Sequence, residues 1–127
     1  MTDALDVAPA SGDASRKPRS ALEVVVRWTL PTVPDVLEAR LVWFTRGKGT
    51  EDVGIVATER IELPDASGQR RVRFTLPDAP YSFSGRLISL TWAVELVAGK
   101  AAARWEFVLA PEGREILLKQ PDAPRLR

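Results

Sequence analysis

Apolar and polar residues alternate with a period of two in several short segments of this chain. The clearest of these segments are residues 22–29, 37–46, 70–76, 86–97 and 102–109. Successive side chains of a β-strand point to opposite faces, so this period is typical of strands buried on one face only. Proline and glycine residues separate the segments. The pattern predicts an all-β protein, an antiparallel β-sandwich of about seven strands.

Residues 37–46 also carry a signal for a helix. Asp35, followed three residues later by Glu38, resembles the capping box that begins many helices. The residues from Val42 to Thr45 are β-branched or aromatic, however, and they favour a strand. We therefore interpret residues 37–46 as a strand.

The alternation is irregular in residues 53–63. Ile55 and Ile61 share a face with Glu59 there, and a buried face does not accept an unpaired carboxylate without a large cost. A β-bulge adds one residue to a strand and so moves the following side chains to the other face. We expect such a bulge near Thr58 or Glu59.

One hairpin can be written in register from the sequence. Gly99–Lys100 suits a two-residue type II′ turn, which favours glycine at its first central position. On the inward face, this turn pairs Trp92 with Phe107, Val94 with Trp105, Leu96 with Ala103 and Ala98 with Ala101. On the outer face, it places Glu95 opposite Arg104. The agreement of both faces supports this register.

The ends of the chain differ in composition from its middle. Residues 1–20 are rich in Ala, Ser, Asp, Gly and Pro, and have too little apolar surface to offset the entropy of ordering. We expect a flexible N-terminal tail over residues 1–20, one β-sandwich domain over 21–120 and a flexible C-terminal tail over 121–127. The start of the chain lacks the basic and apolar regions of a secretory signal, and no apolar run is long enough to cross a membrane. The expected localisation is therefore cytoplasmic.

The composition excludes several kinds of chemistry. The 127 residues include no cysteine and no histidine, which excludes disulfides, thiolate nucleophiles, Cys/His zinc sites and His-based triads. The acidic residues suggest no catalytic pair, the loops lack the pattern of a calcium site, and no glycine-rich loop leads into a helix. We therefore expect no enzymatic activity, no cofactor and no metal. The 18 basic and 17 acidic residues are interspersed, so we also expect no nucleic-acid partner.

The aromatic residues support a core and leave one alternative function. All four tryptophans fall on the apolar face of their predicted strands: Trp28, Trp43, Trp92 and Trp105. Large rings in this position are typical of a sandwich core. Phe44, Tyr81 and Phe83 lie outside this pattern, on an outer face or in a loop. Tyr81 and Phe83 are therefore candidates for binding a carbohydrate or another small ligand.

Arg70, Arg71 and Arg73 form the densest basic cluster of the sequence. In a strand, Arg71 and Arg73 project to the same side. Such a cluster could recognise an acidic partner or phospholipid head groups. It could also be a charged face that prevents unwanted pairing at the edge of a sheet, which is the interpretation we favour.

Residues 76–97, LPDAPYSFSGRLISLTWAVELV, are similar to a recurring signature of arrestin-like domains. The signature is a strand ending in Leu-Pro, a short proline loop, an aromatic-Ser step, a glycine and a long alternating strand. The matching residues are Leu76-Pro77, Pro80, Tyr81-Ser82, Gly85 and residues 88–96, with Trp92 in the aromatic position. The following strand, which ends in Phe107, also suits the pattern.

The resemblance implies a single-domain member of bacterial type, because bacterial sporulation-control proteins share this fold. Arrestins and related retromer subunits are tandems of two such sandwiches, and this chain has room for one. Functions of their interdomain region therefore do not carry over, and none of the receptor-, phosphate- or clathrin-binding residues maps onto this sequence. An immunoglobulin-like or fibronectin-type sandwich is the alternative fold.

The resemblance implies a scaffold or adaptor more than a particular task. An open sandwich has edge strands, which bind other proteins by adding a strand. We therefore expect a non-catalytic protein-interaction module, with another protein as partner and no membrane contact. Self-association is a further expectation to be tested. A small-ligand or carbohydrate-binding module is the alternative.

Overall fold

Strands alone make up the regular structure in the computed structural model, which describes residues 4–10, 15–47, 51–62, 64–84, 88–110 and 116–117. The ten strands are β1 Ala4–Pro9, β2 Ser15–Arg16, β3 Ala21–Thr29, β4 Glu38–Gly47, β5 Val53–Arg60, β6 Ser67–Thr75, β7 Phe83–Ser84, β8 Ile88–Ala98, β9 Ala101–Leu109 and β10 Ile116–Leu117. Seven of them have six residues or more. The all-β fold class is confirmed.

The strands form two sheets. The smaller sheet has the antiparallel order β1-β3-β6. In the larger sheet, β8 pairs with β4 along one edge and with β9 and then β7 along the other. Strand β5 lies beyond β4, and the short strands β2 and β10 pair in parallel with β9 and β7.

The core lies between the two sheets and follows the predicted alternation. In β3, Leu22, Val24 and Val26 are completely buried and Trp28 is 4% exposed, while their neighbours face outward. The largest fully buried side chains are Trp92, Leu22, Leu37, Leu41, Leu76, Leu96 and Leu109. The predicted inward faces of β3, β4, β6, β8 and β9 therefore supply this core, apart from Ile88, whose side chain is outside the described part.

The predicted hairpin is confirmed in every pair. Strands β8 and β9 pair in the expected register, from Trp92 opposite Phe107 to Ala98 opposite Ala101. Gly99 has a φ of +62°, and the one non-glycine residue with positive φ in the described part is Arg19. Positive φ at the first central position alone is the geometry of a type II′ turn.

The strand over residues 37–46 is also confirmed, as β4, and the helix alternative is wrong. Strand β5 contains the expected bulge, but not at the expected place. Leu41 pairs with Ala57 and Val42 pairs with Ile55, so Val56 is the extra residue. The bulge places Ile55 on the outer face, where it is 57% exposed, and leaves Ile61 to be buried.

Residues 1–20 are predicted to be a flexible tail, but the part of this segment that the structure describes contains two strands. Strand β1 pairs with β3 along its whole length, and Ser15–Arg16 pairs with β9. Val7 is 8% exposed, and Leu5 on the same face packs against the core. Pairing with β3 and β9 therefore helps to offset the entropy of ordering, which the small apolar surface of this segment cannot offset alone. The predicted tail over residues 121–127 lies outside the described residues.

Strand β6 begins earlier than predicted, at Ser67, and includes Gly68. Gly68 is opposite Trp28, and a Cβ atom there would lie 2.8 Å from Cζ2 of Trp28. In the larger sheet, Gly54 of β5 is opposite Trp43 of β4, and a Cβ atom at Gly54 would overlap the indole ring of Trp43. Each glycine therefore leaves room for an indole ring packed flat over the neighbouring strand.

Candidate functional site

Strand β5 is an edge of the larger sheet, and it carries exposed apolar side chains. Within the described residues it pairs with β4 and with no strand on its other side. Val53, Ile55 and Val56 are 59%, 57% and 43% exposed. Edge strands usually carry charged residues that discourage pairing with other chains. The first half of β5 lacks this protection.

The exposed residues of β5 continue an apolar cluster on the outer face of the larger sheet. Val53 is opposite Phe44 and Ile55 is opposite Val42, so these pairs share one face. Val42, Phe44 and Ala93 are buried there, separately from the main core. The apolar surface therefore runs from the middle of the sheet to its open edge.

Two arginines cover the inner part of this cluster. The guanidinium carbons of Arg46 and Arg104 lie 4.7 and 4.3 Å from the centre of the Phe44 ring. Arg46 is bound by Glu106, with 3.3 Å between Nη2 and Oε2, and Arg104 is bound by Glu95. Phe44 is on the outer face, as predicted, but it is 2% exposed because these guanidinium groups cover it.

The three arginines of the predicted basic cluster lie on β6, which is the edge of the smaller sheet next to β5. Arg71 and Arg73 share the outer face, as predicted, while Arg70 is opposite the core residue Val26 and so belongs to the inward face. Arg71 Nη1 lies 2.9 Å from Glu23 Oε1. The structure thus holds one arginine of the cluster in an ion pair and places Arg70 on the opposite face from the other two.

A cleft of about 270 Å³ separates β5 from β6 on this open side of the sandwich. Its lining consists of Glu59, Arg60, Ile61, Arg70, Arg71, Val72 and Arg73. Ile61 and Val72 are 2% and 3% exposed and form its apolar floor. The cleft therefore combines an apolar base with a strongly basic rim.

Tyr81 and Phe83 lie away from this cleft. Both are partly buried and pack against the main core, so they do not form an open aromatic platform. Between them, Ser82 is 1% exposed and accepts a hydrogen bond from the Leu109 backbone N–H at 3.0 Å. The segment is fixed to the end of β9, and ligand binding by Tyr81 and Phe83 stays a prediction.

Acidic clusters and membrane-spanning helices can be assessed over the residues that the structure describes. No three acidic side chains there are close enough to hold a metal ion. None of the described residues forms a helix long and apolar enough to cross a membrane.

Sequence reasoning identified the arginines but not the exposed residues of β5. The signal was available in the segment VGIV, residues 53–56, which places apolar side chains on both faces of a strand. In a central strand both faces can be buried, so this pattern alone does not indicate an edge. These residues are exposed because β5 lies at the edge of the sheet, and the sequence of the segment does not predict that position.

No family model matches the chain, and no curated protein matches its sequence. Among solved structures, the chain is similar to Spo0M, a sporulation control protein from Bacillus subtilis, with a TM-score of 0.60 and 11% identity. The match covers 86% of this chain and 49% of that one, so the chain spans about half the length of Spo0M. A β-glucosidase from Listeria innocua matches with a TM-score of 0.47 and 14% identity, over 91% of this chain and 17% of that one. The likeness to Spo0M shows a shared fold and is consistent with an arrestin-like β-sandwich.

Proposed function

We propose that this chain is a non-catalytic protein-interaction module of the arrestin-like class, and that it binds its partner through the open edge of β5. The observation that carries the proposal is the exposure of Val53, Ile55 and Val56 on a strand with one free side within the described residues. An extended segment of another protein can add a strand at such an edge, because the edge presents unpaired backbone N–H and C=O groups.

The contrast between the two neighbouring edges supports this choice. Strand β6 carries Arg70, Arg71 and Arg73 along its edge, which is the usual protection against strand addition. Strand β5 has its charged residues at its end, Glu59 and Arg60, and its apolar residues before them. The bulge at Val56 separates these two halves, so the regular apolar half is where pairing is expected.

A library of displayed extended peptides, selected on the immobilised chain, tests the proposal. Peptides that pair with β5 should slow hydrogen exchange at the β5 backbone amides and leave those of β6 unchanged. The double variant Val53→Gln and Ile55→Gln should weaken their binding by about tenfold or more, since the smaller apolar area buried at each position costs about 1 kcal/mol. Val36→Gln is the control, because Val36 is also an exposed valine, at 38%, but lies in a loop that does not line the cleft.

Two results would contradict the proposal. One is peptide binding that protects no β5 amide and is insensitive to the double variant. The other is binding on a carbohydrate array that is abolished by Tyr81→Ala, which would favour a carbohydrate-binding module instead.

A further inference from the structure

The cleft between β5 and β6 concentrates positive charge. Four arginines and one glutamate line it, and two further carboxylates, Glu62 and Glu23, pair with two of these arginines. The whole chain carries a formal net charge of +1. The cleft therefore carries a local excess of positive charge, on the same open side as the proposed binding edge.

Two of the arginines lack a partner within the described residues. Arg71 is held by Glu23, and Arg60 Nε lies 4.0 Å from Glu62 Oε2. Arg70 and Arg73 make no ion pair and no side-chain hydrogen bond in the described part of the chain. Within the described residues, no carboxylate pairs with either charge, and Arg70 is the one of the two on the inward face.

A strand added beside β5 would continue both faces of the larger sheet. Its outer side chains would lie next to Val53 and Ile55, on the apolar surface. Where such a strand continues past the bulge to the end of β5, its inner side chains would overhang the cleft, because Glu59 there lies on the inner face, opposite the core residue Ala39. Across the cleft, Arg70 occupies the inward face of β6. The outer face of the added strand would therefore contact an apolar surface, and its inner face would lie near a basic one.

We propose that the segment bound at β5 is an acidic strand, with carboxylates on the face toward this cleft and β-branched apolar side chains on the other face. The inference rests on the proposed function and adds the chemistry of the partner. A protein segment fits better than an anionic membrane surface, because a membrane offers no backbone to pair with β5 and no ordered apolar row for Val53 and Ile55.

Synthetic peptides of about nine residues, the length of a typical strand, provide the test. The first alternates valine with glutamate, the second has lysine in place of each glutamate, and the third has the composition of the first with valines and glutamates in separate blocks. Fluorescence anisotropy should show the first peptide binding about tenfold or more tightly than either of the others. Its affinity should fall as salt is raised, because salt screens exposed charges.

Two substitutions in the cleft should act in opposite directions on the first peptide. Arg70→Gln removes a positive charge that has no ion-pair partner among the described residues, and it should weaken binding by roughly fivefold. Glu59→Gln removes the one carboxylate of the cleft lining and should strengthen binding. Lys100→Gln, at the exposed tip of the β8–β9 hairpin, removes one positive charge as Arg70→Gln does and should leave binding unchanged.

The outcomes separate this inference from the proposed function. If the lysine peptide binds as tightly as the glutamate peptide, and Val53→Gln with Ile55→Gln weakens both, the edge function holds and the acidic partner is wrong. If phosphatidylserine vesicles compete for the cleft while the β5 double variant has no effect, both are wrong. Absence of binding by any of the three peptides up to about 1 mM, the affinity of a minimal contact, would also overturn the inference.

Discussion

Trp92 and Trp105 have the same predicted orientation but different surroundings. Trp92 is completely buried, and its Nε1–H donates to the Pro80 carbonyl at 2.6 Å. Trp105 is partly buried and stacks on Phe107, with 5.4 Å between ring centres. The sequence predicts a similar loss of stability for alanine at either position, because it shows the face of a residue and not how completely that face is covered.

We expect Trp92→Ala to lower the free energy of unfolding by about 3–5 kcal/mol, because it leaves a large cavity and an unpaired Pro80 carbonyl. Trp105→Ala should cost roughly half as much, since less apolar area is removed from the interior. Urea denaturation of both variants is the measurement. Equal losses would contradict the burial described for Trp105.

The pairing of Gly54 with Trp43 leads to a second prediction. A Cβ atom at Gly54 would overlap the indole ring of Trp43, so Gly54→Ala should destabilise the protein by about 1–3 kcal/mol. In a Trp43→Val background the overlap is absent, and the same change should be neutral or stabilising because alanine restricts the unfolded chain. A double-mutant cycle measures this coupling. Strict additivity of the two changes would show that the ring does not lie over the glycine.

Strand β1 is an element that the composition of its segment does not predict. Its six residues, ALDVAP, include two large apolar side chains, and its stability comes from pairing with β3 rather than from its own preference. The position of the bulge in β5 is hidden for the same reason, because it depends on how β5 pairs with β4. The β8–β9 hairpin is the opposite case, since its turn and its register are local and can be read from the sequence.

Val7→Asp tests whether β1 is part of the folded domain. The substitution places a carboxylate on the buried face of β1, and we expect a loss of about 2 kcal/mol or more in the free energy of unfolding. Ala4→Asp, at an exposed position of the same strand, should change it by less than about 0.5 kcal/mol. Thermal unfolding compares the two variants. A flexible tail would leave both without effect.

For the whole molecule, the absence of histidine and cysteine has a consequence for pH dependence. These are the side chains whose ordinary pKa values lie near neutrality. Without them, no side chain with an ordinary pKa between pH 6 and 8 is available to couple protonation to folding, so the melting temperature should be nearly constant over about that range. Differential scanning fluorimetry across this pH series is sufficient. A shift of more than about 5 °C, roughly 1 kcal/mol, would contradict the expectation.

The candidate site could be predicted in part from the sequence. The arginine cluster is visible as a run of residues, and the expectation of edge binding follows from an open sandwich. The sequence does not predict that the arginine cluster and the open edge adjoin one cleft. The reason is that β5 and β6 belong to different sheets, and the distance between them depends on how the sheets stack. The exposure of Ile55 likewise depends on the bulge at Val56, which no local pattern locates.

The division of the strands between the sheets also bears on how fast this chain can fold. The smaller sheet draws on residues 4–9, 21–29 and 67–75, and strands of the larger sheet lie between them in the chain. Neither sheet can form completely until strands that are far apart in the sequence have paired. Such non-local pairing slows folding to milliseconds or longer. We expect stopped-flow tryptophan fluorescence to show refolding on that scale. Complete refolding within about 10 microseconds, the time a single hairpin needs, would mean that the sheets form independently.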